Sequence, residues 1–245
     1  MESATQVKSL WLTAALAFMV TAPVTAQELI TNGGFESGFA GWTLADQLGS
    51  DGSFLVQSGI ASPVNGTPVP APPEGTNAAM TDAQGPGSHV LYQDFLVPAD
   101  ASGGTFSFER YVNNQGDAFF SPDTLDFTSV NNQQARADIL LPSADPFSLA
   151  PGDVLRNLFL TMPADPPVSG YSTVTTDIST LLADHAGQTL RLRFAEVDNQ
   201  LFLNFGVDRV SINTAGVIPE PGTAWLLASG LLPMAGAIRR RWRVS

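Results

Sequence analysis

The stretch Gln188-Thr189-Leu190-Arg191-Leu192-Arg193-Phe194-Ala195-Glu196-Val197 decides the fold class. Leu190, Leu192 and Phe194 recur at a period of two, with Arg191 and Arg193 between them. A helix turns 100° per residue and would scatter these apolar side chains, whereas a strand sends them all to one face. The same alternation recurs outward from this segment. Gly104–Val112 places Phe106 and Phe108 on one face, with Ser107 and Glu109 on the other. Leu201–Val207 aligns Leu201, Leu203, Phe205 and Val207. Further strands are predicted over Glu28–Thr31, Trp42–Leu44, Phe54–Gln57, His89–Val97, Arg136–Leu141, Val154–Thr161 and Tyr171–Ile178. Helical period is confined to one short turn at Ile178–His185, with Asp177 or Ser179 as N-cap and Gly187 ending it.

Nothing between the strands has the length of a parallel crossover, so antiparallel pairing is expected. The strand count then predicts an all-β chain, an antiparallel two-sheet jelly-roll β-sandwich. Ser62–Thr76 carries five prolines (63, 68, 70, 72 and 73) and reads as extended and exposed. Phe35 and Trp42 would plug one edge of the core. In Val207-Asp208-Arg209-Val210-Ser211-Ile212 the apolar phase slips by one residue at Asp208-Arg209, which predicts a β-bulge.

The chain has 245 residues, 23 acidic and 11 basic, two His and no Cys. Without Cys there is no disulfide framework, thiol nucleophile or Cys-ligated metal. The two ends differ from the middle. Residues 1–26 read as a signal peptide: Lys8, the apolar run Leu10–Val20, Pro23, then Val24-Thr25-Ala26 as a small-residue cleavage site before Gln27. Near the other end stand Pro219-Glu220-Pro221, an apolar stretch Thr223–Ile238, and a basic cluster including Arg239, Arg240 and Arg241. Sixteen helical residues rise about 24 Å, short of a roughly 30 Å hydrocarbon core. A transient rather than permanent membrane insertion is expected. The expected division is 1–26 signal, 27–214 sandwich, 215–222 linker and 223–245 hydrophobic helix with its Arg-rich tail. Between residues 27 and 217 six Arg oppose 21 carboxylates, a formal balance of −15. Such a surface repels nucleic acid, which is excluded as a partner.

The order Pro-Glu-Pro, apolar segment, Arg cluster resembles the PEP-CTERM sorting signal of Gram-negative bacteria. The resemblance implies export by signal peptidase, processing by an exosortase near Pro219–Pro221, an inner-membrane-anchored precursor, and a mature protein at the cell surface or in the extracellular matrix. A structural or adhesive role beside exopolysaccharide follows, with a carbohydrate-binding protein as the alternative and a secreted polysaccharide hydrolase as a third reading.

A second resemblance rests on Leu29-Ile30-Thr31-Asn32-Gly33-Gly34-Phe35-Glu36-Ser37-Gly38 with Gly41-Trp42, and on the closing strands through Phe205-Gly206-Val207-Asp208-Arg209-Val210-Ser211-Ile212. These are similar to carbohydrate-binding-module-like jelly rolls of the galactose-binding-like fold. That resemblance implies a structural calcium held by Glu36 and Asp208, with oxygens from Asn32 or Gly34 and Asp51 as a further donor. The alternative makes Glu36 a turn acceptor and Asp208 a partner of Arg209 or Arg191. A sugar-binding face would need outward aromatics, and Tyr111, Tyr92 and Phe120 are the candidates, Tyr111 being out of phase with Phe106 and Phe108. Glu109 and Glu196 form a formal carboxylate pair, but 21 acids make chance pairs inevitable. No nucleophile elbow, phosphate loop or zinc-protease motif occurs, and no catalytic residue is assigned.

Overall fold

The computed structural model describes residues 25–216. Eleven strands run β1 Thr25–Glu28, β2 Thr43–Asp46, β3 Ser53–Ser58, β4 Asn77–Asp82, β5 Gly87–Leu96, β6 Ala101–Asn114, β7 Gln133–Leu140, β8 Val154–Leu160, β9 Ser172–Asp177, β10 Thr189–Asp198 and β11 Leu203–Gly216, with α1 at Ser179–Asp184. They form two antiparallel sheets. One has the order β3-β4-β11-β6-β9, with β1 also on β11, and the other the order β2-β5-β10-β7-β8. The chain is an all-β sandwich, as the alternation predicts.

The two sheets meet through inward side chains placed by that alternation. Leu190, Leu192 and Phe194 of β10 face Phe106, Phe108 and Phe205 from the other sheet. The Phe108 and Phe194 ring centres lie 5.1 Å apart, and Phe194 and Phe205 6.3 Å apart. Phe35 and Trp42 close one edge, 5.3 Å apart and both buried. Each buried aromatic removes a large apolar area from water, so this cluster dominates the stability.

The bulge is where the sequence places it. Pairing of β11 with β6 slips between Asp208 and Ser211, and Arg209 takes a φ of +50°. Gly33 lies directly against it: a Cβ there would sit 1.9 Å from the Val210 carbonyl oxygen, so only glycine fits. The Asp177 carboxylate accepts the Ser179 N–H at 2.8 Å, but the cap position itself is Ile178, which is one residue from either expected N-cap. Gly187, at φ +76°, follows the helix as expected.

β4 has no counterpart among the strands expected from sequence. Its residues Ala78 to Asp82 are buried on both faces because β4 is central, between β3 and β11, so no alternation marks it. β1 ends at Glu28 instead of continuing to Thr31, because the Glu28 carboxylate accepts the Ile30 and Ile212 N–H groups and the chain turns at Asn32, φ +53°. Arg193 lies on the outer face of its sheet as expected, yet it is fully buried: it donates to the Pro146 and Ser148 carbonyls, both at 2.8 Å, and pairs with Asp138.

Among the described residues no helix is long and apolar enough to cross a membrane. The segment Thr223–Ile238, the Pro219, Glu220 and Pro221 motif, the Arg239, Arg240 and Arg241 cluster and most of the signal region lie outside the described residues. Ala26 and Gln27 lie within β1, opposite Ala215 and Thr214.

Candidate functional site

The residues implied for calcium are drawn toward one another by the 74–77 segment. The Glu36 carboxylate accepts the Thr76 and Asn77 N–H groups at 2.9 and 2.8 Å, and these bonds hold it below the usual carboxylate range. Asp208 accepts the Glu74 N–H at 2.9 Å and the Arg209 N–H at 2.7 Å. Burial pushes its carboxyl up to about 6, with the Glu74 and Glu36 charges adding to the rise. Asn32 is spent on Ser37, Gly38 and Ala40. Gly34 sits against the Glu74 side chain. Asp51 is elsewhere, at the other end of β4, accepting the Gln84 N–H at 2.7 Å. Calcium takes six to eight oxygens. This set does not fit it: among the described residues no three Asp, Glu or His side chains gather to hold a metal. The turn-acceptor reading of Glu36 describes its bonds.

The three aromatics do not share a face. Tyr111 points out of the sandwich as its phase predicts, but it is 2 % exposed, because Val69 of the proline-rich segment and Tyr171 pack over it with Met80. It is therefore a buried residue and not a platform. Tyr92 lies in the other sheet, under the Arg191 guanidinium at 4.1 Å. Phe120 is exposed, beside the bridge it makes with Gln133.

A different site forms at the end of the sandwich where β4, β10 and β11 meet their loops. A cavity of about 420 Å³ is bounded by the 83–86 and 198–202 segments and by Asn65. Its apolar surface comes from Pro86, Leu201 and Phe202, and Leu201 is 58 % exposed. Its polar groups are the Gln84 carboxamide, which has no protein partner, and the Gln200 carboxamide, whose oxygen is unpartnered. The remaining amides are structural. Asn65 is bound to Asp82, and Asn199 to the Phe127 and Val130 carbonyls. Gln133 accepts the Asn199 and Gln200 N–H groups and donates to the Leu201 carbonyl, so the 198–202 wall is tied to β7. Asp198 joins the two walls: it accepts the Gly87 N–H at 2.8 Å and the Leu203 N–H at 3.3 Å. Burial pushes its carboxyl up to about 6 against the pull of those donors and of His89.

Behind Asp198 the sandwich interior stays polar. Asp46, His89 and Glu196 sit opposite one another on β2, β5 and β10. The His89 Nδ1 is 2.7 Å from Asp46, while its Nε2 has no partner. Glu196 is 1 % exposed and its carboxyl Oε1 has no hydrogen-bond partner. Burial, with the Asp198 charge adding to it, pushes its carboxyl well above the ordinary range. The sequence signal for this row was the inward phase of β10 itself, which continues from Phe194 to Glu196 and Asp198.

No protein-family model matches the chain, and no curated protein matches its sequence. Solved structures resemble it at low identity. The enzymatically active domain of tailspike protein 4 of bacteriophage CBA120 is 10 % identical, with a TM-score of 0.45 over 76 % of this chain. This chain spans 21 % of that domain's length. TmCBM61, solved with β-1,4-galactotriose, is 12 % identical, with a TM-score of 0.44 over 76 % of this chain and 97 % of its own. The K3 adhesin domain of Lys-gingipain from Porphyromonas gingivalis is 13 % identical, with a TM-score of 0.45 over 77 % of this chain and 99 % of its own.

Proposed function

We propose that the chain is an exported, non-catalytic glycan-binding protein whose ligand site is the end cavity. The observation that carries this reading is the pairing of apolar Phe202, Leu201 and Pro86 with the unpartnered Gln84 carboxamide and the unpartnered Gln200 carboxamide oxygen around about 420 Å³. A sugar ring presents C–H groups on its face and hydroxyls on its edge. It is bound by apolar surface beneath and amide donors and acceptors beside. The cavity has room for one or two sugar rings. The negative balance of the 27–217 segment disfavours a polyanionic glycan, so the ligand is a neutral one.

The signal-like start and the Pro-Glu-Pro, apolar, Arg-rich ending support delivery outside the cytoplasm by signal peptidase and an exosortase. A matrix exopolysaccharide is then the partner class. The test is a glycan array with the full chain, followed by titration calorimetry on any hit. Saturable binding to a neutral glycan, weakened at least about tenfold by Phe202→Ala or Gln84→Ala, is expected. Binding unaffected by both substitutions would move the site away from the cavity. No binding to any neutral glycan would retire the reading.

A further inference from the structure

Asp198 differs from every other carboxylate at this end of the molecule in what it joins. Its two oxygens hold the first residue of β5, just after the 83–86 wall, and the first residue of β11, just after the 198–202 wall. It is 3 % exposed, and no arginine faces it. Arg191 and Arg193 of the same strand and Arg136 of β7 point to the opposite face of the sheet, where they pair with Asp94 and Asp138. The ionisable groups around Asp198 are Glu196 on its own strand, His89 on β5, Asp46 on β2 beyond His89, and Asp51 in the turn before β3. From the facing sheet Leu203 meets it, its own carbonyl accepting the Thr81 hydroxyl. Two of the side chains in this row, His89 and Glu196, keep buried atoms without partners. Such groups are costly to retain and need a reason.

We propose that this inward row is a proton switch, with Asp198 as the latch that sets how firmly the two cavity walls are held. As a carboxylate, Asp198 accepts both N–H groups. Once it is protonated, one oxygen becomes a donor, and the longer bond to Leu203 is the one released. The 198–202 wall then loosens while Gln133 still tethers it from β7; Asp198 itself stays buried, so the released state loses only the Leu203 donor that opposes protonation and is the form the proton favours. Glu196 is the neutral neighbour that permits this: with its proton retained, it adds no second charge beside the latch.

The inference builds on reading the cavity as the ligand site, but its test follows the walls and needs no ligand. Hydrogen–deuterium exchange on the full chain, corrected for the intrinsic pH dependence of exchange, is followed from pH 8 to pH 5 in peptides covering 84–88 and 199–204. Protection of 199–204 is expected to fall roughly tenfold through a midpoint near 6, with peptides from β6 unchanged. In Asp198→Asn the step disappears and protection is low throughout, whereas in Glu196→Gln the step remains. A wild-type chain with no step, or a step of unchanged midpoint in Asp198→Asn, overturns the proposal. Where Asp198→Asn fails to fold, the wild-type carboxyl ¹³C titration decides: the Leu203 amide must lose its hydrogen-bonded shift with the same midpoint as the Asp198 signal, and a Leu203 amide that does not follow it overturns the latch. A failed glycan array alongside an intact step would remove the ligand reading and leave the switch.

Discussion

One strand, β10, builds both ends of the sandwich interior. Toward its start, Leu190, Leu192 and Phe194 meet Phe106, Phe108 and Phe205 in a dry aromatic cluster. Two residues later the same face carries Glu196, then Asp198. The first region is what a β-sandwich needs in order to fold. The second is burial that a folding requirement alone would not select, since an unpartnered acid out of water costs more than an apolar side chain of the same size. The contrast teaches where to look for function: at the end of the core where one face switches from apolar to ionisable without a change of secondary structure.

The largest expected effect tests the dry end. Phe194→Ala removes a ring that contacts Trp42, Phe106, Phe108 and Phe205 and should cost about 3–5 kcal/mol in urea unfolding. A loss below about 1 kcal/mol would mean that the aromatic cluster does not carry the fold. At the wet end the sign reverses. Glu196→Met replaces a partnerless buried acid with an apolar side chain of similar length, and a gain of about 1–3 kcal/mol is expected. Destabilisation would show that the row has partners in solution.

The pH dependence also separates the two ends. Asp198 has its folded value raised from 3.8 to about 6, so the native state binds the extra proton. Its contribution to stability is full below about 4 and is lost as pH rises through about 6, a swing of roughly 2–3 kcal/mol. Thermal melts should therefore improve from pH 7 to pH 5; Asp208, raised to about the same value, adds to the trend, so Asp198→Asn should shrink it without abolishing it. Asp138 on the outer face behaves oppositely. Although burial opposes it, Arg136 and Arg193 hold its carboxyl below the usual range, so its contribution is lost as pH falls below about 4. A melting temperature that instead rises steadily with pH from 5 to 8 would contradict the polar-end account. The smallest effect belongs to the 74–77 segment. Glu36→Gln weakens the hold on Thr76 and Asn77 and should lower the melting temperature by about 2–4 °C at most, while proteolysis near residues 62–76 speeds up.

Local pattern made the framework legible. Sequence pattern located nine of the eleven strands and only the last residue of β1, and the phase slip at Asp208-Arg209 located the bulge, because both are properties of a few adjacent residues. β4 was illegible because a central strand whose two faces are both covered has no alternation to read. Tyr111 shows the same limit from the other side. Its phase correctly sends it out of the sandwich, but the side chain that covers it, Val69, is 42 residues away in sequence. The cavity could not be read in advance because Gln84, Pro86 and Phe202 converge only once β5 and β10 are paired.

The pairing of Thr25 with Gly216 has a practical consequence. β11 starts at Leu203, beside the cavity, and ends at Gly216, so roughly 40 Å of extended chain separates the two. Thr25 and Gly216 therefore lie side by side at the pole remote from the cavity, and a probe attached at either residue reports from about that far away from its mouth.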